Sequence, residues 1–164
     1  MAGKTVLVTP AIRIQREDFS AADEVAALTR DRADIGAVVT FTGLCRDEGG
    51  RLQALELEHY PGMAEAELRR VAEEAAARWP LDGLTVIHRF GKLAPGENIV
   101  LVAAASAHRH AAFEAASFLM DFLKTRAPFW KREHLADGTV GGWVEAKGED
   151  DAAAERWEAG GRRG

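Results

Sequence analysis

The chain carries one cysteine and one tyrosine among 164 residues. A single thiol, Cys45, can form no internal disulfide and no cysteine metal cluster, which sets the expectation of a reducing, cytosolic setting. Long apolar runs are missing as well. No stretch approaches the ~20 residues of a membrane span, and the apolar part of Met1–Pro10 is shorter than a signal peptide requires. Positive charge is scarce: 21 Lys and Arg stand against 26 Asp and Glu, a net charge of -5. That balance argues against a broad nucleic-acid surface and confines any anion site to a local basic pocket on an acidic body. The five histidines form no HExxH or comparable metal-ligand set, and His108 and His110, two apart at a helix start, do not converge on one ion. Gly43, Gly49 and Gly50 lack the spacing of a phosphate loop or a dinucleotide fingerprint.

What is present is the composition of an ordinary globular domain, 47% apolar and 29% charged, long enough for one real core. Residues 1–148 read as that single domain. Residues 149–164 read as an acidic, then Gly/Arg-rich tail with a short helix near Asp151–Trp157. Gly160-Gly161 resembles the diglycine end of a ubiquitin-like carrier, but Arg-Arg-Gly follows it and a flexible end accounts for it.

The most informative stretch is Ser106–Glu133. Phe113, Ala116, Met120 and Leu123 recur at three- and four-residue steps, the mark of a helix with one buried face. Ser106 is the candidate N-cap, and Pro128 ends the helix near Ala127. His108 and Arg109 then fall in the first turn, where the helix end is already positive and a cation is unfavourable. Free N–H groups beside an Arg and a His make a seat for an anion. Lys124 and Arg126 fall in the last turn, and Lys131 and Arg132 follow a Pro-Phe-Trp bend. Cations at a helix C-terminus also satisfy the dipole with no further purpose. The joint pattern points to an anion site without naming the anion.

The remaining chain alternates strands and helices. Thr5–Val8 and Ile12–Gln15 read as short strands. A helix follows, with Ser20 and Asp23 in capping-box spacing and Val25 and Leu28 inward. Ile35–Thr42 reads as a central strand. Gly43–Gly50 is a loop that presents Arg46, whose bland reading is an exposed loop arginine, and Cys45 beside it reads as a half-buried thiol rather than a nucleophile. Arg51–His59 is a strand with one wet face, and Met63–Trp79 a helix with Glu65/Arg69 and Glu74/Arg78 pairs on its surface. His59 and Tyr60 read as packing residues. Leu84–Gly91 and Asn98–Ala105 form a hairpin around a turn at Leu93–Glu97, the second strand buried on both faces. His134–Gly142 is a loop, and Trp143–Ala146 a last strand.

Five strings in order, GAVVTFTGLCR (36–46), LELEHYPGMAE (55–65), HRFGKLAPGE (88–97), SAHRHAAFEAASFLMDFLKTRAPFWKRE (106–133) and WVEA (143–146), make the chain resemble the catalytic (large) subunit family of molybdopterin synthase. The pairing of EHYPGM with LKTRAPFWK is highly specific. The resemblance implies an α+β, α/β hammerhead-type fold with a mostly antiparallel sheet, three main helices and added strands. It implies a sulfurtransferase that converts cyclic pyranopterin monophosphate (precursor Z) to molybdopterin in two sulfur transfers. The donor would be a small ubiquitin-like carrier subunit whose C-terminal Gly-Gly ends in a thiocarboxylate. It further implies a homodimer with a carrier at each end, a heterotetramer, with no resident cofactor and no metal.

By motif position Lys124 and Lys131 would be catalytic, Lys124 as acid/base or oxyanion stabiliser and Lys131 holding the carrier tail and the reacting centre. Arg46, His108 and Arg109 would bind phosphate and pterin, and Phe129 and Trp130 would shape and dry the pocket. Lys147 stands where relatives carry an arginine directed at the neighbouring subunit's pocket; it keeps the charge but not the bidentate fork. A non-catalytic module that captures a partner's C-terminal carboxylate in the same pocket is the alternative reading. A phosphoryl-transfer enzyme built on His108 and Arg109 ranks below both, since no carboxylate cluster is present to hold magnesium.

Overall fold

The computed structural model describes residues 7–145. Two four-stranded sheets and three helices make up this region. The first sheet has the order β1-β4-β6-β2, from β1 (Ala11–Gln15), β4 (Gly83–Arg89), β6 (Asn98–Ser106) and β2 (Ala37–Leu44). The β1–β4 pair is parallel; the other two are antiparallel. The second sheet, all antiparallel, has the order β5-β3-β7-β8, from β5 (Gly91–Leu93), β3 (Leu52–His59), β7 (Phe129–Leu135) and β8 (Val144–Glu145). With the helices α1 (Ala21–Thr29), α2 (Met63–Arg78) and α3 (Arg109–Thr125), this is the α+β, mostly antiparallel, three-helix architecture expected from the sequence. No helix among the described residues is long and apolar enough to cross a membrane.

Small side chains decide how the layers meet. Ala72 and Ala75 of α2, Ala111, Ala112, Ala115 and Ala116 of α3, and Ala103–Ala105 of β6 are all buried, so both helices approach the first sheet closely. Leu68, Val71, Leu84, Val86, Val102, Leu119 and Phe122 fill the space between them. At roughly 1.5–3 kcal/mol for each large apolar side chain withdrawn from water, this cluster is the main stabilising element. The opposite face of the sheet carries Ile87 and Leu101, packed by Phe19, and is covered by α1, which starts where the Ser20 hydroxyl accepts from the Asp23 N–H at 3.2 Å. The chain changes sheets at Gly91, whose φ of 94° a residue with a Cβ would rarely adopt. This corner carries it from β4 directly into β5.

Several expectations need correction. The strand at 35–42 was expected to be central, but β2 is an edge strand, with Phe41 and Leu44 exposed; an apolar run reports covered faces and is silent about edges. Leu7 and Val8 are not in a strand. Ser106 does not cap α3. It closes β6 opposite Ala37 and donates its hydroxyl to the Pro80 carbonyl at 2.7 Å, so His108 occupies the cap position. Phe113 is 59% exposed, because the helix turns its alanines to the sheet instead. The helix ends at Thr125 with Arg126 as C-cap, two residues before Pro128. Residues after Pro128 form β7, registered on β3 from His59↔Phe129 to Leu52↔Leu135, where a bend and loop were expected; basic residues on both faces hide its period of two. The β4 and β6 strands do pair antiparallel, but β5 interrupts their connection and joins the other sheet. Glu74–Arg78 forms at 2.7 Å, whereas Arg69 reaches the Pro10 carbonyl and Glu65 accepts from the Gly62 N–H. The tail helix expected at 151–157 and Lys147 lie outside the described residues.

Candidate active site

A cavity of about 210 Å³ opens between three walls. The first sheet contributes Phe41, Gly43, Val100 and His88, which share one face through the registers Phe41↔Val102, Gly43↔Val100 and His88↔Val100. The last two turns of α3 contribute Met120, Leu123 and Lys124, set on one side by their three- and four-residue spacing. The second sheet contributes Leu55 and Leu57 of β3 with Phe129 and Lys131 of β7. Strand alternation sends Leu57 and its cross-strand partner Lys131 to the same face.

The electrostatics are one-signed. Among the described residues two lysines and one histidine line the cavity, and no Asp or Glu does. Neither Lys124 nor Lys131 has an ion pair or hydrogen bond among the described residues, and both side chains are exposed at the mouth. No Ser, Thr or Cys lines the cavity either. Cys45 is buried, with its thiol directed to the Leu93 carbonyl at 3.7 Å, and burial raises its pKa. Chemically, the cavity can attract an anion, stabilise developing negative charge and supply protons, but among the described residues it brings no hydroxyl or thiol nucleophile.

His88 opens the string HRFGKLAPGE and was assigned no role from the sequence, yet it sits in the cavity wall. Its ring stacks on Phe129 at 3.8 Å between centroids and 18° between planes. Nδ1 lies 2.8 Å from the Arg89 carbonyl. A carbonyl only accepts, so Nδ1 carries the hydrogen and Nε2 is bare. Burial above all pushes its pKa down to about 4, with the nearby His59 and Lys124 adding to the fall against the Arg89 hydrogen bond. The structure shows it inside a strand buried along its whole length.

Phe129 is buried in the wall. Trp130 borders the cavity, but its indole lies across the sheet, 5.7 Å from the Tyr60 ring, and donates to the Glu145 carboxylate at 3.0 Å. That outer face also holds Arg132 over Trp143 and the Glu56 carboxylate, which His134 and Arg132 hold below its ordinary pKa. His59, between Phe90 and Phe129, packs as expected, though its Nδ1 is buried without a hydrogen-bond partner, the Glu58 carboxylate lying 3.6 Å away.

The other residues singled out in the sequence do not line this cavity. Arg46 projects from the loop after β2, 81% exposed, and pairs with Glu48 at 2.7 Å. The loop itself is fixed: Cys45 exchanges backbone bonds with Glu97 and Gly96, and the Asp47 carboxylate accepts from the Gly50 and Leu52 N–H groups. His108 and Arg109 border a separate depression with Gly36, Ala37 and His110. Along α3, Arg109 and Lys124 are about 22 Å apart at 1.5 Å per residue.

The family described as MoaE protein matches residues 14–126. The molybdopterin synthase catalytic subunit of Mesorhizobium japonicum is 70% identical over 155 residues, covering 94% of this chain and 98% of that protein. The one from Brucella melitensis is 67% identical over 147 residues, 90% of each. Among solved structures, the molybdopterin biosynthesis MoaE protein of Burkholderia ambifaria superposes with a TM-score of 0.79 at 47% identity, over 91% of this chain and 98% of that one. The same fold thus recurs in a protein of molybdopterin biosynthesis. The chain belongs to the MoaE family, the catalytic subunits of molybdopterin synthase.

Proposed function

We propose that the chain transfers sulfur from the thiocarboxylated C-terminus of a small ubiquitin-like carrier subunit to cyclic pyranopterin monophosphate, twice per molecule, to give molybdopterin. The observation that carries this is a cavity with two unpaired lysines and, among the described residues, no carboxylate and no hydroxyl or thiol nucleophile. Such a cavity suits a reaction whose nucleophile and substrate are both anionic and both arrive from outside. Release of sulfur from a thiocarboxylate leaves a carboxylate, with the oxygen supplied by water, so the site has to hold charge and move protons. Lys124, on the rigid end of α3, serves the reacting centre as acid/base or oxyanion stabiliser. Lys131, one strand away, holds the carrier's terminal carboxylate group. Phe129 supplies a dry wall. The chain needs no resident cofactor or metal for this. The designation of its relatives as catalytic subunits supports a second, different chain as partner.

His108 and Arg109 bind the pterin phosphate in this reading, yet they lie about 22 Å from Lys124 along the same helix, farther than one pterin monophosphate spans. They therefore serve the cavity of a second copy. The exposed Phe41 and Leu44 on the free edge of β2 favour such a homodimer. Lys147 and Arg46 complete the anion-binding set in this arrangement.

The test is one reaction: this chain, a thiocarboxylated carrier and cyclic pyranopterin monophosphate, assayed for molybdopterin beside Lys124→Ala. Product from the wild type and none from the folded variant is the expected result. Full activity of Lys124→Ala removes the central assignment, and carrier binding without product from the wild type points to carboxylate capture alone.

A further inference from the structure

His88 is not among the residues that the sequence motifs assign to the reaction, and the reasons to give it a role are geometric. It is a polar residue on a strand that is buried along its whole length, and buried polar groups are ordinarily paired at every capable atom. Its Nδ1–H is paired, to the Arg89 carbonyl, and the Phe129 ring fixes the imidazole plane. The ring is therefore held at both its edge and its face. Its remaining polar atom, Nε2, has no hydrogen-bond partner among the described residues, and the residue lines the same cavity as Lys124. Lys124 in turn is a triple donor without an acceptor. A bare acceptor and an unpaired donor thus share one small cavity.

We infer that His88 is a positioning residue for Lys124: the Nζ ammonium, unpaired among the described residues of this structure, turns to the Nε2 lone pair, which accepts its hydrogen bond and holds it at the reacting centre. This rests on the sulfur-transfer reading for its purpose, though not for its geometry. A carboxylate in the same place would orient the lysine equally well, but would neutralise the field that draws an anion in. An imidazole kept uncharged orients the lysine and leaves the cavity positive. The charged and titratable groups around it agree. Lys124 faces it from α3, Lys131 lines the same cavity from β7, and His59 lies beyond Phe129 from β3. Arg89, next on its own strand, turns away to the Arg16 and Asn98 carbonyls.

Two amide replacements separate the two ring nitrogens. His88→Asn puts an amide near Nδ1, keeping a donor for the Arg89 carbonyl but removing the acceptor in the cavity. His88→Gln reaches the Nε2 position and restores an acceptor there. In the full chain, with carrier and pterin, kcat is expected to fall about tenfold to a hundredfold in His88→Asn, as for a misplaced catalytic group, with KM for both substrates nearly unchanged. His88→Gln is expected to recover most of that loss. Equal loss in both variants, or a loss confined to KM, overturns the inference. A second measurement needs no substrate. In protein with ¹⁵N-labelled histidines, the His88 signal, assigned by its absence in His88→Asn, is expected to show Nδ1 protonated and Nε2 bare at neutral pH. The bare nitrogen's resonance is expected to move in Lys124→Met. A protonated Nε2, or a resonance indifferent to Lys124→Met, overturns the contact even in a fully active enzyme. A responsive resonance in a protein without turnover supports the contact and faults only the sulfur-transfer reading.

Discussion

The imidazole of His88 lies nearly flat on the ring of Phe129, centroids 3.8 Å apart, and so joins a strand of the first sheet to a strand of the second. Phe129→Ala removes this wall and a buried aromatic ring, and is expected to cost about 3 kcal/mol of stability, the lower end for a core Phe truncation. Urea unfolding followed by tryptophan fluorescence measures it. A change below about 1 kcal/mol would show that the two sheets do not depend on this contact.

The two lysines are expected to separate stability from function. Both are exposed and unpaired among the described residues, so Lys124→Ala and Lys131→Ala should each shift the unfolding free energy by less than about 0.5 kcal/mol. Their kinetic signatures should differ. Losing a charge-assisted bond to the carrier tail is worth about 1.5–3 kcal/mol, so Lys131→Ala should raise KM for the carrier by about ten- to a hundredfold. Lys124→Ala should abolish turnover with carrier binding retained. Titration of carrier into each variant, followed by calorimetry, distinguishes them.

Stability should fall with acid in a window set by His88. Its pKa is lowered from 6.5 to about 4 in the folded chain, so the unfolded chain binds the extra proton first. The stabilisation from keeping this ring neutral is complete above pH 6.5, is lost progressively as pH falls, and is gone below about pH 4. The shift corresponds to on the order of 3 kcal/mol. Glu56, held below its ordinary value by His134 and Arg132, loses its contribution at lower pH, in and below the ordinary carboxylate range. Denaturation midpoints from pH 7 to 5 should therefore slope in the wild type and flatten in His88→Phe. Parallel slopes would remove His88 as the cause.

Two inactive variants are expected to rescue each other. If His108 and Arg109 complete the cavity of a second copy, mixing Lys124→Ala with Arg109→Ala after a cycle of unfolding and refolding creates some sites with both residues intact. Product from the mixture, and none from either variant alone, is the expected outcome. A silent mixture of folded, dimeric variants would place both residues in one chain's own site.

The cavity was legible in the sequence to the extent that motifs named its residues. Lys124, Lys131 and Phe129 line one space, and the α+β class with three helices followed from periodicity and resemblance together. What was missed has common causes. β7 reads as a loop because Lys131, Arg132 and Glu133 interrupt any apolar alternation, and its partner β3 is some seventy residues away (His59↔Phe129). Phe113 was placed inward because a helix with alanine on one stripe and larger residues on another offers two plausible faces, and only the flat sheet beneath selects the smaller one. Edge and centre cannot be told apart for β2, since side-chain pattern carries no information on backbone partners. His88 escaped because a single buried histidine has no spacing to betray it.

Cys45 is folded away against Leu93, and among the described residues the cavity lining holds no hydroxyl or thiol and no sulfur to give. Such a site cannot, under the proposed reaction, sulfurate its substrate until a loaded carrier arrives. Under the proposed reaction its throughput is metered by delivery. Raising the amount of this chain alone adds empty berths, and the flux is set upstream, by whatever recharges the carrier.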